Sequence, residues 1–211
     1  MTEGDGPLGA ALVGLLTARG CTVVSTIGPS ASAPAAMGEA RRGELIRWNR
    51  RSAASAHTLL LSLLNAHGQL DEAVILEPAI DARFPLPQAP IADIERGFDE
   101  AKGPALVARE VLGTFAQRGG GVIALVTGVP AQGTIARALQ ESFKGLASAL
   151  LSHSGDSGVI VNGFQPGEAG IEEYAAFIDR TLEERARKTG GRWYAWQSRP
   201  GLFQGGRSRR A

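Results

Sequence analysis

The sequence has little cysteine, few aromatic residues and almost no net charge. Cys21 is the only cysteine among 211 residues, which excludes an intramolecular disulfide and favours a reducing, cytoplasmic location. The 22 basic and 21 acidic residues leave a formal net charge of +1. Nucleic-acid binding normally requires a net basic face, so we do not expect nucleic acid as the main partner.

Long hydrophobic runs are also missing, and the first residues are acidic rather than basic. No apolar run approaches the roughly 20 residues that cross a bilayer, so a membrane protein is not expected. The opening lacks the basic segment of a signal peptide, so we do not expect secretion either. Only residues 204–211 are locally basic, and we interpret them as a flexible tail that follows a single domain over residues 1–203.

Strand-length apolar runs alternate with segments of helical periodicity along almost the whole chain. This alternation predicts an α/β fold of the Rossmann-like, doubly wound type, with a mostly parallel sheet and helices on both faces. We expect strands at Cys21–Thr26, Leu45–Trp48, Ala73–Glu77, Gly121–Thr127, Val159–Phe164 and Arg192–Gln197. We expect helices at Leu8–Arg19, Ala53–His67, Ile91–Arg118, Ile135–His153 and Ile171–Lys188.

Gly4, Gly6 and Gly9 form a GxGxxG pattern ahead of the first predicted helix. In dinucleotide-binding proteins a strand precedes these glycines and an acidic residue ends the next strand. Only three residues precede Gly4, and the next strand ends in Ser25 and Thr26. We therefore expect a truncated first strand, with its neighbours paired directly or the gap covered by a loop. We also expect a glycine-rich helix start rather than a cofactor site.

Several longer stretches together resemble the short-chain dehydrogenase/reductase family. "GGGVIALVTG", "ALQESFKGLASALLSH" and "GVIVNGFQPG" are similar to that family's serine-bearing strand, its Tyr-x-x-x-Lys helix and the strand that ends in Pro-Gly. "HGQLDEAVILEPA" is similar to the stretch that leads into the family's Asn-Asn-Ala-Gly turn. The resemblance covers nearly the whole chain and implies hydride transfer with NAD(P) through Asn, Ser, Tyr and Lys.

The resemblance assigns those four roles to positions that have largely changed. Lys144 matches the lysine, but Gln140 stands for the tyrosine, Thr127 for the serine and Glu100 for the asparagine. A carboxamide has no proton to exchange near neutral pH, so Gln140 cannot act as the acid/base. A carboxylate at Glu100 would favour an ion pair with Lys144. We therefore expect a degenerate, non-catalytic site that binds no cofactor.

Two classes of function follow from the resemblance. The first is a non-catalytic subunit that scaffolds or regulates an active member of the same family, in an assembly that could act on acyl-CoA or acyl-thioester substrates. The alternative is a divergent NAD(P)-dependent carbonyl reductase or alcohol dehydrogenase that uses Thr127 and Lys144, with Glu100 as a proton donor. A weaker third hypothesis is a protein that binds a ligand in the cleft without chemistry.

Self-association or association with a partner would use the family's edge helices and last strand. Gly145, Ala147, Ser148 and Ala149 would allow close helix packing, unless they face the chain's own sheet. Trp193, Tyr194 and Trp196 crowd the last strand and are typical of interface anchors. The alternative is that helices of the same chain cover these rings.

Overall fold

The computed structural model describes residues 1–28, 44–79, 84–154, 158–186 and 188–197, so the predicted basic tail lies outside the described residues. Helices and strands alternate as expected. The helices are α1 (Pro7–Ala18), α2 (Ala53–His67), α3 (Ile91–Ala101), α4 (Gly103–Arg118), α5 (Thr134–Ser152) and α6 (Ile171–Thr181). The strands are β1 (Val24–Ile27), β2 (Glu44–Arg47), β3 (Glu72–Leu76), β4 (Gly121–Val126), β5 (Val159–Gln165) and β6 (Arg192–Ala195).

Every pairing between these strands is parallel. β1 pairs with β2, and β3, β4, β5 and β6 form a second sheet in that order. The predicted Rossmann-like, mostly parallel arrangement is therefore confirmed. None of the helices in the described part of the chain combines the length and hydrophobicity that a bilayer crossing requires.

The gap between β1 and β3 is closed by residues 1–4, which form no regular strand. The Thr26 N–H donates to the Met1 carbonyl, and the Thr2 N–H donates to the Val74 carbonyl at 3.0 Å. The Leu76 N–H then donates to the Thr2 hydroxyl at 2.8 Å, so a side chain takes the place of a strand carbonyl. Of the two predicted outcomes, a loop that covers the gap is the observed one.

Both faces of the sheet are covered because successive residues of each strand point to opposite sides. Ile75, Ile123 and Val161 pack against α2, α4 and α5 in one core cluster. Val74, Val126 and Phe164 pack against α1 and α6 in a second cluster. This two-sided burial explains why the strands read as continuous apolar runs.

One predicted helix is broken in two. The periodicity predicted a continuous helix over Ile91–Arg118, but α3 ends at Ala101 and α4 begins at Gly103. Pro104, in the first turn of α4, has no N–H to donate to the Glu100 carbonyl, so the hydrogen-bond ladder of α3 is interrupted there. Gly103 also lies against Trp48 and Arg50, and a Cβ there would contact the Arg50 Cβ at 2.9 Å. Because of this break, α3 packs on α5 while α4 packs on α2.

The aromatic residues of the last strand are partly buried by the chain's own core. Trp193 packs against the first cluster, whereas Tyr194 and Trp196 pack against the second. The Tyr194 ring stacks on Phe164 with centroids 5.4 Å apart. Trp193 lies opposite Gly163, where a Cβ would overlap its ring. The alternative that the chain itself covers these rings therefore describes them better than the interface hypothesis.

The Asn162 side chain holds the segment that leads into β6 by hydrogen bonds, and these bonds provide a test of the fold. It is fully buried; its amide nitrogen donates to the carbonyls of Ala186 and Thr189, and its oxygen accepts from the Arg192 N–H at 3.1 Å. Asn162→Ala leaves these backbone groups without a partner, so we expect the free energy of unfolding to fall by about 2 to 3 kcal/mol. Urea denaturation followed by circular dichroism measures the change.

The matched control is Asn65→Ala, at an exposed position of α2. Alanine is the better helix former, so this variant is expected to match or slightly exceed the wild-type stability. Equal effects of the two substitutions would contradict the role assigned to Asn162.

Candidate functional site

A cleft of about 850 Å³ lies beyond the carboxyl ends of β3 and β4. Its walls come from the start of α1, the segments that follow β3 and β4, the inner face of α5 and the start of α6. Ligands of open parallel sheets bind at this edge, because the loops there are free to diverge while the strands hold them in register. The cleft is therefore the candidate functional site.

Gln140 lies on the cleft wall with its side chain fully engaged. Its amide nitrogen donates to the Glu77 Oε2 and to the Val129 carbonyl, each at 3.1 Å, and its oxygen accepts from the Ala131 N–H at 3.1 Å. The residue is only 4% exposed. The side chain that stands in the family's tyrosine position therefore fixes the loop after β4 and has no proton to exchange with a substrate.

The other three predicted site residues are each held by a partner outside the predicted set. The Thr127 hydroxyl is buried and donates to the Phe164 carbonyl at 3.0 Å. The Lys144 ammonium pairs with Glu141 at 2.8 Å on the same helix. Glu100, at the end of α3, is bound by other cations. None of the three forms a hydrogen bond or an ion pair with another predicted site residue in the described part of the chain.

The expected ion pair between Glu100 and Lys144 was wrong. Glu100 pairs with Arg51 at 3.0 Å and lies 3.9 Å from Arg50. Glu100 faces the loop before α2, which carries Arg50 and Arg51, whereas the neighbouring Ala101 packs against α5. The motif spacing alone could not show which side of α3 Glu100 occupies.

The three glycines of the GxGxxG pattern lie in the loop that leads into α1, and two of them are closely packed. A Cβ at Gly4 would lie 2.6 Å from both the Cβ and the Oγ of Ser25, and a Cβ at Gly9 would overlap the Glu3 carbonyl. Gly6 is the N-cap of α1 and lines the cleft, but Pro7 is the first helical residue and supplies no N–H. Two of the three glycines are thus needed for close packing inside the loop itself.

Glu3 is the unexpected residue of this loop. Its φ of +54° is the only positive value at a non-glycine residue in the described part of the chain, in a region that side chains seldom adopt. Its carboxylate is buried at the cleft and forms an ion pair with Arg50. Burial raises the pKa of this carboxyl to about 7, against the opposing effect of the Arg50 guanidinium.

These residues do not suit a dinucleotide. A pyrophosphate needs backbone N–H donors and a cation at the start of the first helix. Here Pro7 removes one donor, and Glu3 and Asp5 place carboxylates beside the others. Arg50 is the only cation among the described lining residues, and Glu3 already binds it. The carboxylates and the shortage of N–H donors therefore both disfavour a bound pyrophosphate.

Two further cleft residues, Glu77 and Tyr174, were not identified from the sequence. Glu77 follows β3 directly; its Oε2 accepts from the Gly128 N–H at 2.8 Å, and burial raises its pKa above the ordinary range despite that bond. Tyr174 on α6 is 2% exposed, and its hydroxyl has no hydrogen-bond partner among the described residues. An acidic residue directly after a buried strand was the available signal for Glu77.

Comparison with solved structures identifies the fold. An acetoin dehydrogenase from Salmonella typhimurium superposes with a TM-score of 0.76 at 19% identity, over 94% of this chain and 97% of that one. A short-chain dehydrogenase/reductase from Serratia marcescens superposes with a TM-score of 0.73 at 19% identity, over 92% of this chain and 94% of that one. Levodione reductase superposes with a TM-score of 0.78 at 16% identity, over 92% of this chain and 93% of that one. The chain therefore has the short-chain dehydrogenase/reductase fold, which confirms the resemblance at the level of the fold. No protein-family model and no curated sequence matches.

The buried Glu3 predicts a specific dependence of stability on pH. Between about pH 4.5 and pH 7 the carboxyl is ionised in the unfolded chain but still protonated in the folded one, so raising the pH through this window destabilises the fold. Glu3→Gln cannot ionise. From about pH 5 to about pH 8 the wild type is therefore expected to lose up to about 3 kcal/mol relative to this variant.

Urea denaturation of both proteins at several pH values measures this difference. Glu95→Gln, at an exposed position of α3, is the matched control and is expected to follow the wild-type curve. If the Glu3→Gln and wild-type curves stay parallel, the assignment of a shifted pKa to Glu3 is wrong.

Proposed function

We propose that the chain is a non-catalytic protein of the short-chain dehydrogenase/reductase fold that scaffolds or regulates an active partner of the same fold. The observation that carries the proposal is Gln140. Gln140 stands where the acid/base tyrosine of the family would act, and three hydrogen bonds hold its amide there. A reduction of a carbonyl needs a proton as well as a hydride, and a carboxamide supplies none near neutral pH.

The two buried hydroxyls of the cleft region, those of Tyr174 and Thr127, do not replace the missing tyrosine. Tyr174 lines the cleft, but burial raises the pKa of its hydroxyl above the ordinary range, which makes it a poorer proton donor. The Thr127 hydroxyl already donates to a backbone carbonyl. Lys144, which would lower the pKa of a neighbouring phenol, has only an amide one turn away. The divergent reductase is therefore the weaker alternative.

The charge of the cleft also favours a protein without its own dinucleotide. Among the described lining residues, Asp5 and Glu77 are acidic in addition to the Glu3–Arg50 pair, and Arg50 is the only cation. A pyrophosphate would have to approach them without a free cation to compensate. We therefore propose that NAD(P) binds the partner and not this chain.

The outward face of α5 supports association with a partner. Exposed small residues recur at alternating intervals of four and three, as in helices that pack closely together. They are Ala138, Ser142, Gly145, Ala149 and Ser152. Ala147, named from the sequence as a packing residue, instead faces the chain's own core. Acyl-CoA or acyl-thioester reduction is the reaction we propose for the partner, by analogy with mixed assemblies of the family.

The missing acid predicts no autonomous activity. Purified chain, mixed with NADH or NADPH and a panel of ketones and aldehydes, is expected to oxidise no cofactor above the rate of the buffer alone. Absorbance of the reduced nicotinamide measures the rate, and isothermal titration with each dinucleotide measures binding. Turnover that disappears in Lys144→Ala, with the fold intact, would overturn the proposal in favour of a divergent reductase.

The small-residue face predicts an association that one bulky side chain abolishes. A Cβ at Gly145 meets no atom within 4 Å, so Gly145→Arg fits the isolated chain and is expected to stabilise its helix slightly. In an assembly that packs on this face, the same arginine prevents close contact. We expect the variant to lose its partner in purification from the native host and to sediment as a monomer.

Ser62→Arg, at an exposed position of α2 on another part of the surface, is the matched control and is expected to keep the assembly. Mass spectrometry of the wild-type complex identifies whether the companion carries an intact Tyr-x-x-x-Lys. A wild-type chain that is monomeric at micromolar concentration and has no such companion would contradict the subunit role.

A further inference from the structure

We propose that the cleft binds a small organic cation, a protonated amine on an apolar body, with the Glu77 carboxylate as its ionic contact and the Tyr174 hydroxyl as its second polar contact. This inference goes beyond the proposed subunit role and does not depend on it. It rests on one half-satisfied carboxylate, one unpaired buried hydroxyl and the composition of the surrounding walls.

Glu77 presents a carboxylate oxygen that the chain itself does not use. Its Oε2 accepts from the Gly128 N–H at 2.8 Å and from the Gln140 amide at 3.1 Å, which fixes the side chain in place. Its Oε1 has no hydrogen-bond partner among the described residues and is not sealed from the cleft. A held carboxylate with one open oxygen is a preorganised acceptor for a cationic donor.

Tyr174 supplies the second, independent observation. The side chain is 2% exposed and lines the cleft, yet its hydroxyl has no partner among the described residues. Burial raises the pKa of this hydroxyl, the neighbouring Thr127 hydroxyl acts against that shift and the Glu77 charge adds to it. The contact between Tyr174 and Thr127 falls short of hydrogen-bond geometry, and Thr127 donates its own proton to the Phe164 carbonyl. A buried hydroxyl without a partner costs stability, and such exceptions call for a specific explanation. A ligand group beside Glu77 would provide the missing hydrogen bond.

The charges around the cleft select a cation over an anion. Arg50, the only cation among the described lining residues, is bound by Glu3. Lys144 influences Glu77 from α5, but its ammonium is held by Glu141 at 2.8 Å, and Lys144 does not line the cleft. Asp5 adds a further carboxylate at the mouth. A ligand carboxylate or phosphate would meet uncompensated negative charge.

The walls select an apolar body for the ligand. Leu76, Val126 and Leu139 line the interior, and each is at least 97% buried in the chain itself. At the rim, Val129 and Ile171 are 59% and 40% exposed. Such exposed apolar side chains around a concave site gain free energy when a ligand covers them. A fully hydrated, sugar-like cation would not benefit from them.

A matched series of probes tests the proposal on the full chain. Phenethylammonium, phenethyl alcohol and 3-phenylpropanoate share an aromatic body and differ in the charge of the polar end. Isothermal titration, or ligand-observed NMR where binding is weak, is expected to show the ammonium bound about tenfold more tightly than the alcohol, and the carboxylate more weakly still. NADH serves as the dinucleotide probe and is expected not to compete.

Three variants locate the binding. Glu77→Gln is expected to weaken ammonium binding about tenfold, whereas Glu95→Gln, at an exposed position of α3 outside the cleft, leaves it unchanged. Tyr174→Phe is expected to weaken binding about fivefold while thermal stability stays the same or rises, because the lost hydroxyl was unpaired. Tyr174→Phe keeps the test decisive if Glu77→Gln does not fold.

Equal affinity for the three probes, no measurable ammonium binding, or ammonium binding that neither Glu77→Gln nor Tyr174→Phe weakens would overturn the proposal. Competition by NADH would overturn it as well, because it would assign the cleft to a dinucleotide. The presence or absence of a protein partner changes none of these outcomes, so failure here is distinguishable from failure of the subunit role.

Discussion

The hydrogen bonds to the half-buried Glu77 carboxylate organise the cleft. Glu77 follows β3, and its Oε2 accepts one bond from the loop after β4 and one from Gln140 on α5. Gln140 in turn binds the backbone at Val129 and Ala131, so three consecutive elements of the sheet edge meet at one carboxylate. Because a buried charge without partners costs several kcal/mol, this arrangement constrains the loop as well as the side chains.

The fold was predictable because its strands are buried on both faces. Strands buried on both faces appear in the sequence as short continuous apolar runs, and the helices between them show a clear helical periodicity. The boundary at Gly103 was not found, because α3 and α4 are both amphipathic and the period continues across the break. The backbone of residues 1–4 was also unpredictable in detail, since the Thr2 hydroxyl replaces a strand carbonyl there.

The site was predictable only where spacing along one helix fixes geometry. Gln140 and Lys144 lie one turn apart on α5, and the chemistry of an amide at the first position could be judged from its type. Contacts between distant segments left no comparable pattern. The Glu3 side chain meets Arg50 across 47 positions, and Glu100 meets Arg51 across 49 positions instead of the expected Lys144. Residue type predicts what a group can do, whereas long-range packing decides what it meets.

The cleft retains polar groups whose burial costs stability, although the Glu77 carboxylate also holds the loop after β4. Glu77 is buried enough to raise its pKa, and the Tyr174 hydroxyl is buried without a partner among the described residues. Tyr174→Phe would remove the second cost, whereas an apolar residue in place of Glu77 would leave the Gly128 N–H without its acceptor. Strain and unsatisfied polar groups concentrate where a protein binds something, since selection for stability alone tends to remove them. A chain maintained only as an inert scaffold has no reason to keep them, so a binding role for the cleft and a subunit role for the outer helices are compatible within one molecule.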